Sequence, residues 1–329
     1  MQRRYIFIKY SSLMAGVLLF IVGCKKQEYE LPTAKEELQN DVIKRTQGPN
    51  IVGQSIEFAY AMAISPGFGK LVSAEVEASI AGATGTYLEN NSYYTNQSGV
   101  DVGVPIGQPS VTNGTKTTVT FTKDTSAATL RYFYVIPPEA RGKSVSFKFS
   151  AKSDDGESVS YSMGPYTIAK MDMVRNLAVS NNNLAYISVA DMTVYNAAAA
   201  ATNAAKIDLV YLYRNLTTSA FNHALVSPAA DTLYLPGVTL PAGVNRSTQM
   251  IKVFNLQDYN LAQLQYGIYI DDLDFEELSF AAAPNFAINL KAEAGVWVET
   301  ADGKYRAYIY INSVNSNGSA VISIKRLAL

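Results

Sequence analysis

The sequence predicts a mainly β protein, in which an N-terminal immunoglobulin-like antiparallel sandwich is followed by a β-rich domain with short helices. Apolar residues alternate with small or polar ones at several places, for example from Ile56 to Ile64 and from Leu130 to Ile136. A period of two is typical of half-buried strands. Turn signals such as Pro137-Pro138 and Asp154-Asp155-Gly156 separate these stretches. Several short strands with hardly any helix favour a sandwich over residues 49–168.

The first 23 residues have the pattern of a secretory signal peptide. Arg3, Arg4 and Lys9 precede an apolar run from Ser11 to Val22, and no acid lies among them. A run of about a dozen apolar residues is shorter than the roughly 20 that cross a bilayer. The segment therefore predicts a cleavable signal rather than a transmembrane helix.

The apolar run ends in Ile21-Val22-Gly23-Cys24, which resembles the lipobox of bacterial lipoproteins. The resemblance implies that lipid is attached to Cys24 and that cleavage occurs just before it. Cys24 is the only cysteine, so no intramolecular disulfide can form, and lipid attachment gives the thiol a role. Several acyl chains would hold the protein firmly to a membrane. The alternative is a secreted protein cut nearby with a free thiol.

Residues 24–48 are polar and charged, which predicts a tether in which the stretch 34–44 can form a short helix. Removal of residues 1–23 takes away three basic residues and no acid, so the formal net charge changes from −1 to −4. Lys and Arg are dispersed without a basic stripe, which argues against nucleic acid as a partner.

A second domain is expected over residues 177–329, after a linker at 169–176. Asn196 is placed to cap an alanine-rich helix beginning at Ala197, and a helical turn is expected near Asp258. Strands are predicted at 294–300, 305–312 and 320–326.

The overall plan resembles that of uncharacterised Bacteroidetes lipoproteins associated with polysaccharide-utilisation systems. The resemblance is carried by the lipobox, the tether and the sandwich, and by stretches of the second domain beginning Lys206-Ile-Asp-Leu-Val-Tyr, Phe221-Asn-His-Ala-Leu and Asp302-Gly-Lys-Tyr-Arg. It implies an outer membrane lipoprotein, on the cell-surface or the periplasmic face, but no established site to transfer.

Little in the sequence indicates an enzyme. His223 is the single histidine, so a site with several histidine ligands for a metal is excluded, and a Ser-His-Asp triad would have to use this residue. Its neighbours form no nucleophile elbow. We interpret His223 as a structural or surface residue and predict no catalytic residue, metal or cofactor.

Five acids crowd the segment from Asp271 to Glu277. They interleave with Leu273 and Phe275, which favours the solvated side of an amphipathic turn. Calcium binding is the alternative, since Ca²⁺ takes oxygen ligands, although the spacing of an EF-hand is missing. Paired catalytic acids of a glycosidase are a further alternative without a supporting pattern.

The stretch from Gly82 to Gly114 is long for a connection and rich in Tyr, Asn, Ser and Gly. Tyrosine offers a flat face with a polar tip, on which sugar rings can stack. Tyr87, Tyr93 and Tyr94 are therefore candidate ligand-binding residues. The alternative is a loop or edge hairpin that covers the sandwich, with its tyrosines half buried.

A second candidate follows from strand pairing. If Asp302-Gly303 forms a hairpin turn, Trp297 lies opposite Tyr308 and Glu299 opposite Arg306. The neighbouring positions make the better core face, so Trp297 and Tyr308 can form an exposed aromatic platform for carbohydrate. Packing between strands or domains is the alternative.

These observations predict a membrane-anchored, non-catalytic protein that binds extracellular glycan through exposed tyrosines. Its partners would be the membrane, through the lipid, and a polysaccharide. The alternative is a structural or adhesive surface protein that binds other proteins, or a surface complex of them, through sheet edges.

Overall fold

The N-terminal half contains two antiparallel sheets and a separate hairpin. The computed structural model describes residues 35–181, 183–216, 221–264 and 266–329. In chain order, the strands of this half are β1 (Gln39–Lys44), β2 (Ser55–Ala63), β3 (Leu71–Ala78), β4 (Tyr87–Leu88), β5 (Asn91–Thr95), β6 (Asp101–Pro105), β7 (Val111–Asn113), β8 (Lys116–Thr120), β9 (Ala127–Val135), β10 (Ser144–Ser153) and β11 (Ser158–Thr167). One sheet has the order β1-β2-β9-β4, the other has the order β11-β10-β3-β8-β7, and β5 pairs with β6.

The two sheets face each other across one hydrophobic core, as the predicted sandwich requires. Alternate residues of each strand enter this core, including Phe58 and Tyr132 from one sheet and Phe147 and Phe149 from the other. The ring centroids of Phe58 and Phe147 are 4.9 Å apart, within the range of favourable aromatic pairs. The period of two in the sequence therefore predicts correctly which residues of these strands face the core and which face outward.

The C-terminal half forms a second sandwich with short helices. Its strands are β12 (Asp172–Ser180), β13 (Tyr186–Ser188), β14 (Thr193–Tyr195), β15 (Leu209–Arg214), β16 (Asn222–Val226), β17 (Gln249–Phe254), β18 (Phe286–Leu290), β19 (Ala294–Glu299), β20 (Tyr305–Val314) and β21 (Ser319–Ala328). One sheet has the order β12-β21-β20-β19-β17, and the other has the order β14-β13-β15-β16-β18.

Helices in the described residues are few and short. The α-helices are α1 (Ala197–Thr202), α2 (Tyr259–Ala262) and α3 (Asp272–Glu277), and 3-10 turns occur at Pro138–Ala140, Ala204–Lys206 and Thr232–Tyr234. The predicted cap of α1 is confirmed, since Asn196 Oδ1 accepts a hydrogen bond from the Ala199 amide at 2.9 Å. None of these helices has the length and apolar character needed to cross a membrane. The mainly β fold class is confirmed.

The observed boundary between the tether and the first sandwich differs from the predicted one. The predicted signal peptide, Cys24 and the first part of the predicted tether lie outside the described residues. The helix expected at 34–44 is wrong: Gln39–Lys44 is a strand that pairs with β2. Only Val42 of this strand is buried. A single buried residue produces no alternation of apolar and polar positions, so the sequence pattern does not predict the strand. The predicted end of the tether at residue 48 is therefore too late.

Residues 169–176 are not an exposed linker. Ala169 and Met171 are buried in a cluster on the outer face of the β12-β21-β20-β19-β17 sheet, and β12 begins at Asp172. Ile51 of the first sandwich joins the same cluster. Asp172 also accepts hydrogen bonds from Arg141 and Arg326, which belong to the two halves. Apolar and charged contacts thus join the sandwiches within one compact unit, Glu37–Leu329.

A buried ion pair fixes the loop that leads through α2. Lys325 Nζ lies 2.5 Å from Asp258 Oδ2, and both side chains are completely buried. Nζ also donates to Asn260 Oδ1 and to the Ile270 carbonyl, while the Asp258 carboxylate accepts from the amides of Leu261 and Ile270. Because every charged atom has a hydrogen-bonding partner, the pair holds the loop against β21 at a tolerable desolvation cost.

We predict that Lys325→Met lowers the free energy of unfolding by about 3–5 kcal/mol, because it leaves the Asp258 carboxylate buried without its cation. Urea denaturation followed by circular dichroism measures the change. Lys70→Met is the matched control, because Lys70 pairs with Asp124 on the surface, and we expect it to leave the midpoint almost unchanged. A Lys325→Met protein that unfolds at the wild-type urea concentration would contradict this assignment.

Candidate functional site

Small side chains on the outer face of β2 form the floor of a shallow groove. Ala59, Ala61 and Ala63 alternate with core residues of the same strand and so face away from the core. Larger side chains flank them, since Ile43 of β1 and Arg131 of β9 lie opposite Ala59 on either side. We call this surface the alanine trough. It consists of two depressions of about 320 and 240 Å³, both lined by Thr129.

The β5-β6 hairpin forms one wall of the alanine trough. The Arg131 guanidinium lies 3.8 Å from the centroid of the Tyr93 ring and 2.5 Å from the Asp101 carboxylate. Thr95 Oγ1 donates to the same carboxylate at 2.9 Å. A cation–π contact and a charge-assisted hydrogen bond therefore hold the hairpin against β9. Tyr94, which is 56% exposed, lines the trough beside Tyr93.

Tyr87 lies on the same outer face, on the short strand β4. Its ring stacks on Phe133 with centroids 4.8 Å apart and planes 11° apart, and 41% of the residue is exposed. Burial raises the pKa of Tyr87, and the charges of Glu89 and Glu57 add to the effect. A hydrogen bond to Glu89 raises the pKa of Tyr93. Both hydroxyls therefore stay protonated at neutral pH and can act as donors.

The segment from Gly82 to Gly114 is thus not an irregular loop: β4 joins one sheet, β7 joins the other, and the hairpin of β5 and β6 between them matches the alternative prediction of an edge hairpin only in part. Its three tyrosines have different environments. Tyr94 is exposed, Tyr93 is held under Arg131, and Tyr87 is stacked with one face against Phe133. Tyr93 and Tyr94 share one concave surface.

A second, larger cavity lies between the two sandwiches, and we call it the tyrosine cleft. Its volume is about 590 Å³. The ring centroids of Tyr259 and Tyr269 are 4.9 Å apart in its wall. The lining is otherwise mainly polar and consists of Arg45, Thr46, Gln47, Pro49, Asn50, Gln54, Ser55, Glu57, Tyr259, Asn260 and Tyr269.

The tyrosine cleft contains side chains without a partner in the described part of the chain. No hydrogen bond or ion pair there engages the Arg45 guanidinium or the Glu57 carboxylate. The Asn260 amide oxygen accepts from Lys325, which leaves its NH2 group available. Tyrosine faces beside free amide, guanidinium and carboxylate groups suit a ligand that is rich in hydroxyls.

Sequence reasoning missed this cleft. The signal was present in the stretch from Tyr259 to Tyr269, which holds three tyrosines among Asn, Gln and Gly. That composition is similar to the composition of segment 82–114, but the local pattern near Asp258 predicts only a helical turn.

The pairing predicted for the C-terminal hairpin is confirmed, but its aromatic residues are not an exposed platform. Trp297 lies opposite Tyr308 and Glu299 opposite Arg306, as expected. Trp297 is only 6% exposed, and Tyr308 is fully buried. The physical reason is that α3 covers this face of the sheet, with Phe275 meeting Trp297 edge to face at 5.2 Å. Both faces of the sheet are therefore packed.

His223 is a buried residue of β16. Its Nδ1 lies 2.6 Å from the Tyr211 hydroxyl, and its ring packs against Tyr213. Burial lowers the pKa of His223, so the neutral ring fits this site. No described serine or carboxylate contacts this histidine through a hydrogen bond, which is the arrangement of a structural residue.

The acidic segment caps a helix. Asp271 Oδ1 accepts from the amides of Leu273 and Asp274, and Asp274 in turn accepts from the Asp271 amide, which is a capping box. Asp272 accepts from the Lys170 amide at 2.8 Å. Within the described ranges, no group of three or more His, Cys, Asp or Glu side chains is arranged to hold a metal ion.

The described part of the chain therefore consists of two packed β-sandwiches with an alanine-floored groove and an adjoining, mainly polar cleft. Residues 35–168 match the family Domain of unknown function (DUF4466), and residues 169–329 match Domain of unknown function (DUF8576). A crystal structure of a DUF4466 family protein from Parabacteroides merdae is 50% identical, with a TM-score of 0.85. The match covers 89% of this chain and 99% of that one. This chain belongs to the DUF4466 family.

Two further solved structures are much less similar to this chain. The Actinomyces fimbrial adhesin FimA is 9% identical over 88% of this chain and 96% of that one, with a TM-score of 0.28. The Bacillus cereus major pilin subunit BcpA is 8% identical over 87% of this chain and 66% of that one, with a TM-score of 0.27. Neither similarity is close enough to indicate a shared function. No curated protein matches the chain.

We predict that Trp297→Ala lowers the free energy of unfolding by about 3–5 kcal/mol, because it removes a large aromatic side chain from a packed cluster. Tyr94→Ala should change it by less than about 0.5 kcal/mol, because the side chain is exposed. Urea denaturation followed by far-ultraviolet circular dichroism compares the two, since Trp297 is the only tryptophan and its removal abolishes the tryptophan fluorescence that would otherwise report unfolding. Equal stability of both variants would contradict the burial of Trp297.

Proposed function

We propose that this protein is a non-catalytic glycan-binding lipoprotein of the outer membrane, anchored through Cys24, whose alanine trough binds a polysaccharide. The observation that carries the proposal is the exposed residue Tyr94, which lines a trough floored by alanine together with Tyr93. A tyrosine face next to a smooth floor offers a stacking surface for a sugar ring. The resemblance to lipoproteins of polysaccharide-utilisation systems supports the same class of ligand.

The charged groups of the alanine trough support binding rather than catalysis. Asp101 is engaged by both Arg131 and Thr95, and this arrangement positions Tyr93 and Tyr94. A glycosidase needs one carboxyl group as a proton donor and a second as a nucleophile or base. An acid whose carboxylate already accepts hydrogen bonds from an arginine and a threonine is held as an acceptor and is poorly placed to donate a proton.

The anchor has its own test. We expect Cys24→Ser to abolish incorporation of a fatty-acid label and to release the protein from membranes, because the hydroxyl is not a substrate for lipidation. Expression in a bacterial host with an alkyne fatty acid, followed by fractionation, measures both. A Cys24→Ser protein that still carries the label would refute lipid attachment at this residue.

Binding by the alanine trough is tested by native affinity electrophoresis in gels that contain amylopectin, galactomannan, xylan or mixed-linkage β-glucan. We expect retardation by at least one polymer, and we expect Tyr94→Ala to weaken the affinity about tenfold, which corresponds to about 1.4 kcal/mol. Tyr161→Ala is the matched control, because Tyr161 is 39% exposed on β11 of the opposite sheet.

Absence of retardation by every polymer would overturn glycan binding. The second candidate function, adhesion to another protein, would then be favoured. It rests on β6, whose outer edge is unpaired in the described residues and carries the exposed Val104. Such an edge can receive a strand of a partner. A stable oligomer or complex on size-exclusion chromatography would support this alternative.

A further inference from the structure

The alanine trough and the tyrosine cleft adjoin each other. Arg45 lines both the cleft and the depression that contains Tyr93 and Tyr94. The Arg45 amide donates to the Glu57 carbonyl at 2.7 Å. The pairing of β1 with β2 therefore extends one residue beyond Lys44, as far as the cleft. One surface therefore follows the nine residues of β2, which span roughly 30 Å at about 3.3 Å per residue.

The far side of the tyrosine cleft is held rigidly against the first sandwich. Gly48 has a φ of +74°, and a Cβ at this position would lie 2.2 Å from Cδ1 of Tyr269. The absence of a side chain lets the tyrosine ring rest on the backbone of the first sandwich. On the other side, the Asp258 side chain caps α2 and pairs with Lys325. Tyr259 and Tyr269 are thus fixed before any ligand arrives, which lowers the entropic cost of binding.

The charges along this surface nearly cancel. Arg131 is paired with Asp101, and Arg45 and Glu57, which form no ion pair within the described residues, carry opposite signs in the same cleft. Asp41 at the trough adds one negative charge, and the remaining polar groups of the surface are amides and hydroxyls. Such a surface has no excess of positive charge to attract a uronic acid or a sulfated sugar. Exposed residues bound it at both ends, with Ala63 and Ala127 at one end and Gln47 at the other.

We infer that the alanine trough and the tyrosine cleft form one binding site for a linear, uncharged glycan, which lies along β2 and is bound by internal segments of its chain. Tyr94 contacts one part of the chain, and Tyr259 and Tyr269 contact another across Arg45. This inference rests on the proposed glycan binding and deepens it. Because the two regions act on one ligand, a chain long enough to reach both binds more tightly than a short one.

Isothermal titration with a size series of oligosaccharides, prepared from the polymer that retards the protein most, tests this inference. For long chains, we expect Tyr94→Ala and Tyr259→Ala each to weaken binding about tenfold. For chains of two or three sugars, at most one of the two substitutions should weaken binding. Tyr266→Ala is the control, because Tyr266 lies on the same loop, is 79% exposed and does not line the cleft. Thermal unfolding verifies that each variant is folded.

The possible results separate the two proposals. If a polymer binds and Tyr94→Ala weakens it, while folded Tyr259→Ala binds long chains as the wild type does, the shared site is wrong and the proposed function stands. If no neutral polymer binds, both fail. Polygalacturonate serves as the anionic probe, and stronger binding to it than to every neutral polymer would overturn the uncharged ligand class.

Discussion

The ion pair between Lys325 and Asp258 is the interaction on which the arrangement of the candidate site depends. It is completely buried, and it holds the loop from Leu256 to Ile270 against the outer face of a sheet. Tyr308 supports the same loop through a hydrogen bond to the Leu256 carbonyl. Gly295 makes that bond possible, since a Cβ there would collide with the Tyr308 hydroxyl. A charged pair, a tyrosine and a glycine thus place α2 at the edge of the first sandwich.

Because α2 lies there, residues of the second sandwich line part of the candidate site. The first sandwich supplies a trough because β2 alternates large core residues with alanine on its outer face. Alone, this trough would be a shallow surface with a single exposed tyrosine beside it. The loop from the second sandwich adds two further tyrosines at one end. The contacts of Asp172 with Arg141 and Arg326 fix the two halves relative to each other, so the combined surface is preorganised.

The sequence predicted those features that depend on local pattern. Alternation in β2 and β9 gave the first sandwich, and the Asp302-Gly303 turn gave the register that sets Trp297 opposite Tyr308. The sequence did not predict the features that depend on contacts between distant segments. The burial of Trp297 follows from Phe275, on a helix that periodicity along the hairpin cannot report. The tyrosine cleft joins Arg45 to Tyr259, more than 200 residues apart. Strand β1 was not predicted, because Val42 is its only buried residue.

A crystal structure of the protein with a neutral oligosaccharide tests the central claim most directly. The account predicts sugar rings along the outer face of β2, with one ring against Tyr94 and the chain passing Arg45 toward Tyr259. A sugar bound at another surface, with the alanine trough and the tyrosine cleft both empty, would contradict it.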